Sequence, residues 1–240
     1  MHPVDDMNNN HARVKTRDIL VSVLTFAAGL TDALSFLTLG GVFTSFMSAN
    51  TLLLGLRIGL GDFPLALNSL TALLGYIAGV ALGANIGYQS SISDKIWPFA
   101  VTKILAGGFV MMVAFTSVGF IAGTSSHETV YLLLASISMG MQSAAIRGLG
   151  IHGVASTYVT GTWTTFMIDL VNLRRSQPSQ RTVKKEQDTI FQAITLATYV
   201  VGAAAGGLVV PHFSYKAAII PASIIGLVLI VAWIRFRQTG

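Results

Sequence analysis

One acid stands inside an apolar run: Asp32, within the stretch Ile19 to Leu39. At the helical rise it lies about 4–5 Å from the middle of that run. Inserting an acid at such a depth costs roughly 2.5–3.5 kcal/mol. A carboxylate kept there at that cost fits ion coupling or proton relay; its bland alternative is a protonated acid tying helices together. Two later segments add polar groups: Ser45, Ser48, Asn50 and Thr51 in the first, Thr157, Thr160, Thr162 and Thr164 in the second. Hydroxyls and amides of this kind coordinate a cation or hydrogen-bond a polar solute, or else bond back to their own helix, as Ser and Thr commonly do in membranes.

Two charges close these segments. Arg57 and Asp169 are separated by 112 residues, the same offset that relates the segments themselves, and their opposite signs make them a possible gate. Glycines recur every four residues at Gly75, Gly79, Gly83 and Gly87, and again at Gly202 and Gly206. Such a stripe lets helices approach closely, either between halves of one chain or between copies in a homo-oligomer. No catalytic residue is assigned. The chain lacks cysteine and has no His-Glu-x-x-His, Gly-x-Ser-x-Gly or phosphate-loop pattern, so it is read as a non-enzyme. His152 is the one histidine near a polar segment, and no metal or other cofactor is expected, since no ligands stand at metal spacing.

The elements that must position these groups follow from composition. Of 240 residues 52% are hydrophobic and 10% charged, and mean hydropathy is +0.67. A soluble domain carries roughly 25% charged residues, so an ordinary globule is excluded. The net charge of +5 belongs to short hydrophilic stretches, which explains it by membrane orientation and leaves no reason for a nucleic-acid partner. Six stretches reach the ~20 residues a spanning helix needs: Ile19 to Leu39, Phe63 to Gly87, Trp97 to Ala122, Thr129 to Gly150, Ile190 to Val210 and Ala217 to Phe236. Gly40 to Leu60 and Ile151 to Leu173 are apolar but crowded with glycine and hydroxyls, and are read as broken or re-entrant. A polar tail (1–18) and a basic loop (174–188) complete the chain.

Repetition organises these stretches. Gly41-Val42-Phe43-Thr44-Ser45-Phe46-Met47-Ser48-Ala49-Asn50 returns as Gly153-Val154-Ala155-Ser156-Thr157-Tyr158-Val159-Thr160-Gly161-Thr162, and Tyr76 to Gly83 returns as Tyr199 to Gly206. The halves are therefore 19–122 and 129–240, each a span, a broken segment and two spans. If the broken segments return to the side they entered, every Lys and Arg except Arg57 and Lys216 falls on one side, the cytoplasmic one, together with both termini. Full crossing moves Arg57 in and Lys95, Lys103 and Arg147 out. The first arrangement has the cleaner bias, and its three crossings per half imply inverted repeats. The expected fold is thus an all-α integral membrane protein with six full transmembrane helices plus two broken or re-entrant segments.

Gly29-Leu30-Thr31-Asp32-Ala33, Gly40-Gly41-Val42-Phe43 and Met47-Ser48-Ala49-Asn50, followed by Met139-Gly140-Met141-Gln142-Ser143-Ala144-Ala145 and Thr157-Tyr158-Val159-Thr160-Gly161-Thr162, resemble the signatures of the YoaK-like family of uncharacterised bacterial membrane proteins (domain of unknown function 1275). The resemblance runs from about Ile19 to Phe236, with Ser48-Ala49 where the family has Thr-Gly. It implies a multi-span protein of the bacterial inner membrane and no particular activity. The residues themselves point to a small secondary transporter or permease-like protein for a small solute or ion, its polar site lying between the broken segments near the midplane. A non-transporting scaffold or assembly factor is the alternative, and an intramembrane enzyme a weaker one.

Overall fold

In lipid an apolar run has no water to satisfy its backbone, so it folds as helix. The structure is a computed structural model that describes residues 3–88, 96–122, 128–154, 159–175 and 183–237. Eight α-helices occupy them: α1 (Pro3–Thr38), α2 (Met47–Gly59), α3 (Phe63–Tyr88), α4 (Phe99–Ala122), α5 (Glu128–Arg147), α6 (Val159–Arg175), α7 (Val183–Phe213) and α8 (Ile219–Phe236). There is no strand among the described residues. Five stretches are long and apolar enough to cross a membrane: Asn10–Thr38, Phe63–Gly87, Phe99–Ile121, Glu128–Arg147 and Val183–Phe236, the last comprising α7 and α8. Large apolar side chains such as Leu52, Leu74, Ile121, Leu208 and Ile230 point outward, as lipid contact requires.

Two expected boundaries move. The polar tail is not separate, because α1 runs from Pro3 without interruption. No helix breaker lies between Pro3 and Gly29, and extending a formed helix is far easier than starting one. The basic loop shrinks as well, since α6 continues to Arg175 and α7 begins at Val183, where Lys184, Lys185, Glu186 and Gln187 are good helix formers.

Close packing follows the glycines. A Cβ on Gly29 would strike the Tyr199 carbonyl, and one on Gly202 the Phe26 carbonyl, so α1 and α7 touch backbone to backbone. Gly140 meets the Tyr76 carbonyl and Gly79 the Ile137 carbonyl in the same way, joining α5 to α3. Gly206 lies against Ala33, Gly83 against Ala144 and Gly75 against Ser136. In both pairs the contacts advance together along the two chains, so α1 is parallel to α7 and α3 to α5. At Gly75, Gly79, Gly83, Gly202 and Gly206 the expected glycine seam therefore lies between the halves. α1 and α5 are the innermost helices, with about two-thirds of their spanning windows buried (67% and 61%) against 33% for α3 and α4.

Helix ends cluster at one end of the bundle. Trp97, just before α4, stacks on Phe236 at the end of α8 (centroids 5.3 Å apart), and Arg13 near the start of α1 lies 5.7 Å from the same ring. Phe99 with Lys103, and Trp233 with Arg237, continue this aromatic and cationic belt, the composition favoured at a membrane–water boundary. At the opposite end Tyr131 of α5 donates to the Val118 carbonyl of α4 (3.1 Å).

Candidate functional site

The break in the first half is set by glycine. Gly40 (φ 75°) and Gly41 (φ 65°) adopt the left-handed conformation that a side chain would strain. They turn the chain after α1 back alongside it, and the next residues reach Asp32. Its Oδ1 accepts from Thr44 N (2.8 Å), Ser45 N (2.7 Å) and Thr44 Oγ1 (3.2 Å). Oδ2 accepts from Ser45 Oγ (2.5 Å) and from Tyr199 Oη (2.6 Å) of α7. The carboxylate is 2% exposed and joins three elements. Its two oxygens differ in chemistry: Oδ1 faces two backbone N–H groups, which only donate, beside the more distant Thr44 hydroxyl, whereas Oδ2 faces two hydroxyls alone, which can donate or accept. A proton can therefore sit at Oδ2 without breaking the cluster.

From Ser45 the chain starts α2, whose 13 residues rise about 20 Å. Asn50 holds the turn, accepting from Phe43 N (3.0 Å) and donating to Phe43 O. Arg57, near the end of α2, donates to Gly40 O (2.9 Å), Gly41 O (3.0 Å), Leu65 O (2.9 Å) and Ser69 Oγ (2.8 Å). The segment thus dips to the level of Asp32, and α2 climbs back to where α1 ended. There α3 begins, with Asp62 capping it by accepting from Leu65 N (3.2 Å).

In the second half, helices follow in the same order with other side chains. Gly150 (φ 63°) and Gly153 (φ 67°) follow α5. Asp169 of α6 accepts from Gln192 Nε2 of α7 (2.9 Å) and lies 3.6 Å from His152 Nε2. Thr162, the counterpart of Asn50, is buried. Tyr76 donates to Ser143 (2.8 Å), the counterpart of the Tyr199–Asp32 bond. Thr157 lies outside the described residues.

The expected site residues accordingly separate. Asp32, Ser45, Asn50 and Thr162 are buried, while Ser48, Thr51, Thr160 and Thr164 are exposed. Thr51 and Thr164 bond to the carbonyls of Met47 (2.9 Å) and Thr160 (3.1 Å) on their own helices. Among the described residues α2 packs on α3 and α6 on α7, so the two arms are not packed helix to helix as a shared site would have them. Arg57 and Asp169 do not pair either; each is bonded inside its own half. Ala49 and Gly161 both lie within helices, and the turns at Gly40 and Gly41 and at Gly150 and Gly153 come earlier. Tyr199, Thr44, Ser69 and Gln192 were missed by sequence reasoning. Tyr199 had a signal, as one phenol in an apolar run aligned with Tyr76.

The chain matches the family described as Protein of unknown function (DUF1275) over residues 20–231. The chain belongs to this family. It is 34% identical over 220 residues to the UPF0700 transmembrane protein YoaK of Bacillus subtilis strain 168, covering 91% of this chain and 95% of that one. No solved structure matches it. As a DUF1275 protein it is a membrane protein, consistent with its spanning helices, and its relative's name records no activity.

Proposed function

We propose that this protein is a small permease-like transporter built from two inverted repeats, each of three crossings and one re-entrant helix. The observation that carries the reading is the fold-back of residues 39–59 onto Asp32. At about 20 Å, α2 is too short for a hydrocarbon core of ~30 Å, and interrupted backbone at membrane depth is tolerated only where protein buries it or it lines a wet cavity. Two further contacts support six crossings. If α2 crossed, α4 would start at the end opposite α1, yet Trp97 and Arg13 meet at Phe236. Inversion is supported by Gln142 Nε2, which donates to Leu24 O (3.0 Å). With Gly29 and Gly140 equivalent by their contacts with the Tyr199 and Tyr76 carbonyls, residue 24 corresponds to 135 and 142 to 31, so equivalent contacts keep register only if α1 and α5 run antiparallel. In this reading the termini are cytoplasmic, the membrane is the bacterial inner membrane, and Asp32 with Tyr199 and Ser45 carries the coupling proton.

A second reading, the scaffold, is favoured by the saturation of Asp32 and by hydroxyls such as Thr25 and Thr31, which bond to their own helix. Vesicles decide between them. Proteoliposomes holding a pH-sensitive dye, challenged with a panel of small solutes, should show solute-dependent proton flux that Asp32→Asn abolishes. If no solute drives flux, and single cysteines introduced at Thr165 react from one side only whatever solute is present, the scaffold reading replaces the permease.

A further inference from the structure

The second arm contains a cavity of about 420 Å³ whose wall includes Arg147, Gly150, His152, Gly153, Thr162 and Thr165. Internal repetition gives the counterparts of this wall in the first arm. The counterparts of Arg147, Thr162 and Thr165 in the first arm are Phe36, Asn50 and Leu53. Phe36 stacks on Phe43 (centroids 5.1 Å apart), and Asn50 is bonded to both ends of the same residue's backbone. Of these exchanges Leu to Thr removes the most bulk, and together they put a cation and two hydroxyls in the wall, of which Thr165 Oγ1 donates to Gly161 O (3.0 Å). Among the described residues the ionisable groups in the lining are Arg147 and His152, with no acid beside them in the wall. His152 is already beside Asp169. The Arg147 guanidinium is exposed and has no hydrogen bond or ion pair among the described residues.

We propose that this cavity binds an oxyanion, the carboxylate or phosphate group of its ligand, with Arg147 as the counter-cation. A guanidinium presents paired N–H donors that match the two oxygens of either group, and the hydroxyl-bearing wall accommodates a polar group better than an apolar one. The assignment deepens the permease reading and rests on it for its part in transport, while binding itself is measurable without flux.

The test uses the full chain in phosphatidylcholine nanodiscs. Melting is followed against sodium succinate, sodium phosphate and, at equal ionic strength, sodium chloride; a second set of nanodiscs contains phosphatidylglycerol and no added oxyanion. Succinate or phosphate should raise the melting temperature above the chloride reference, with half-saturation at least tenfold weaker in Arg147→Gln and recovered in part by Arg147→Lys. A refilled wall, Thr162→Asn with Thr165→Leu, should lose the response without a fall in melting temperature. Stabilisation by phosphatidylglycerol alone, lost in Arg147→Gln, supports the site and assigns the oxyanion to a lipid headgroup. The proposal is overturned if no oxyanion stabilises the protein or if Arg147→Gln responds as the wild type does. Binding without flux would refute only the permease, and flux undiminished in Arg147→Gln would refute only the site's part in transport.

Discussion

The two arms, 39–59 and 150–175, share an order of elements and differ in how they are held. In the first, Asp32 gathers five donors and Arg57 four acceptors, so each buried ionisable side chain is fixed by neutral groups and the arm is closed around them. In the second, Ser143 takes the place of Asp32, Asp169 that of Arg57, and small side chains leave a cavity. Equivalent glycine contacts keep the helix pairs alike in both halves. On the proposed repeat reading, the frame stays symmetric while one arm serves as a clasp and the other as a pocket.

The largest difference should appear at the clasp. Asp32→Ala leaves two buried N–H groups unpaired, at about 1–3 kcal/mol each, whereas Ser143→Ala should cost about 1 kcal/mol. Thermal unfolding in detergent compares them, and equal losses would show that the arms are held alike. Next come the glycines, for which the halves should agree. Gly79→Ala and Gly202→Ala both push a Cβ into a backbone carbonyl and should each cost about 1–3 kcal/mol, while Gly207→Ala, with open space around it, should be neutral or gain up to about 1 kcal/mol. Unequal losses would break the symmetry of the frame.

A smaller contrast separates the paired charges. Arg57→Met orphans several carbonyls and should destabilise by about 1–3 kcal/mol. Asp169 is a quarter exposed, and Asp169→Asn keeps an acceptor for Gln192, so its loss should stay below about 1 kcal/mol. Least affected are the outward hydroxyls: Thr51→Val and Thr164→Val should each remain within about 0.5 kcal/mol. A larger loss at either would mean that it meets something other than its own helix.

Much of the frame was legible because lipid leaves few choices: apolar length marks α3, α4, α5 and α8 to within a few residues, and the glycine stripe marks the seams. The clasp was legible in part. Asp32 and Ser45 stood out as polar groups at depth, but the residue that completes them, Tyr199, lies 167 positions away on a helix whose register is set by tertiary packing. Spacing alone also grouped Ser48 and Thr51 with Ser45, since a loop and a helix give neighbouring residues unrelated directions. Once α2 begins at Met47, the helical period sends Ser48 and Thr51 outward and Asn50 inward. The arms' separation could not be read at all, because repetition fixes equivalence and not contact.

The exchange of partners between halves has a consequence for biosynthesis. Gly29 and Asp32 are made early, yet the backbone and phenol they fit against belong to Tyr199. At a translation rate of about 5–20 residues per second, the intervening chain takes roughly 10–30 s to emerge. Throughout that interval α1 rests in the bilayer, or against the insertion machinery, with its polar face unmatched by α7, and α3 likewise waits for α5. Neither half can complete its own packing, so a chain divided between residues 122 and 128 should assemble only when both pieces are produced in the same membrane.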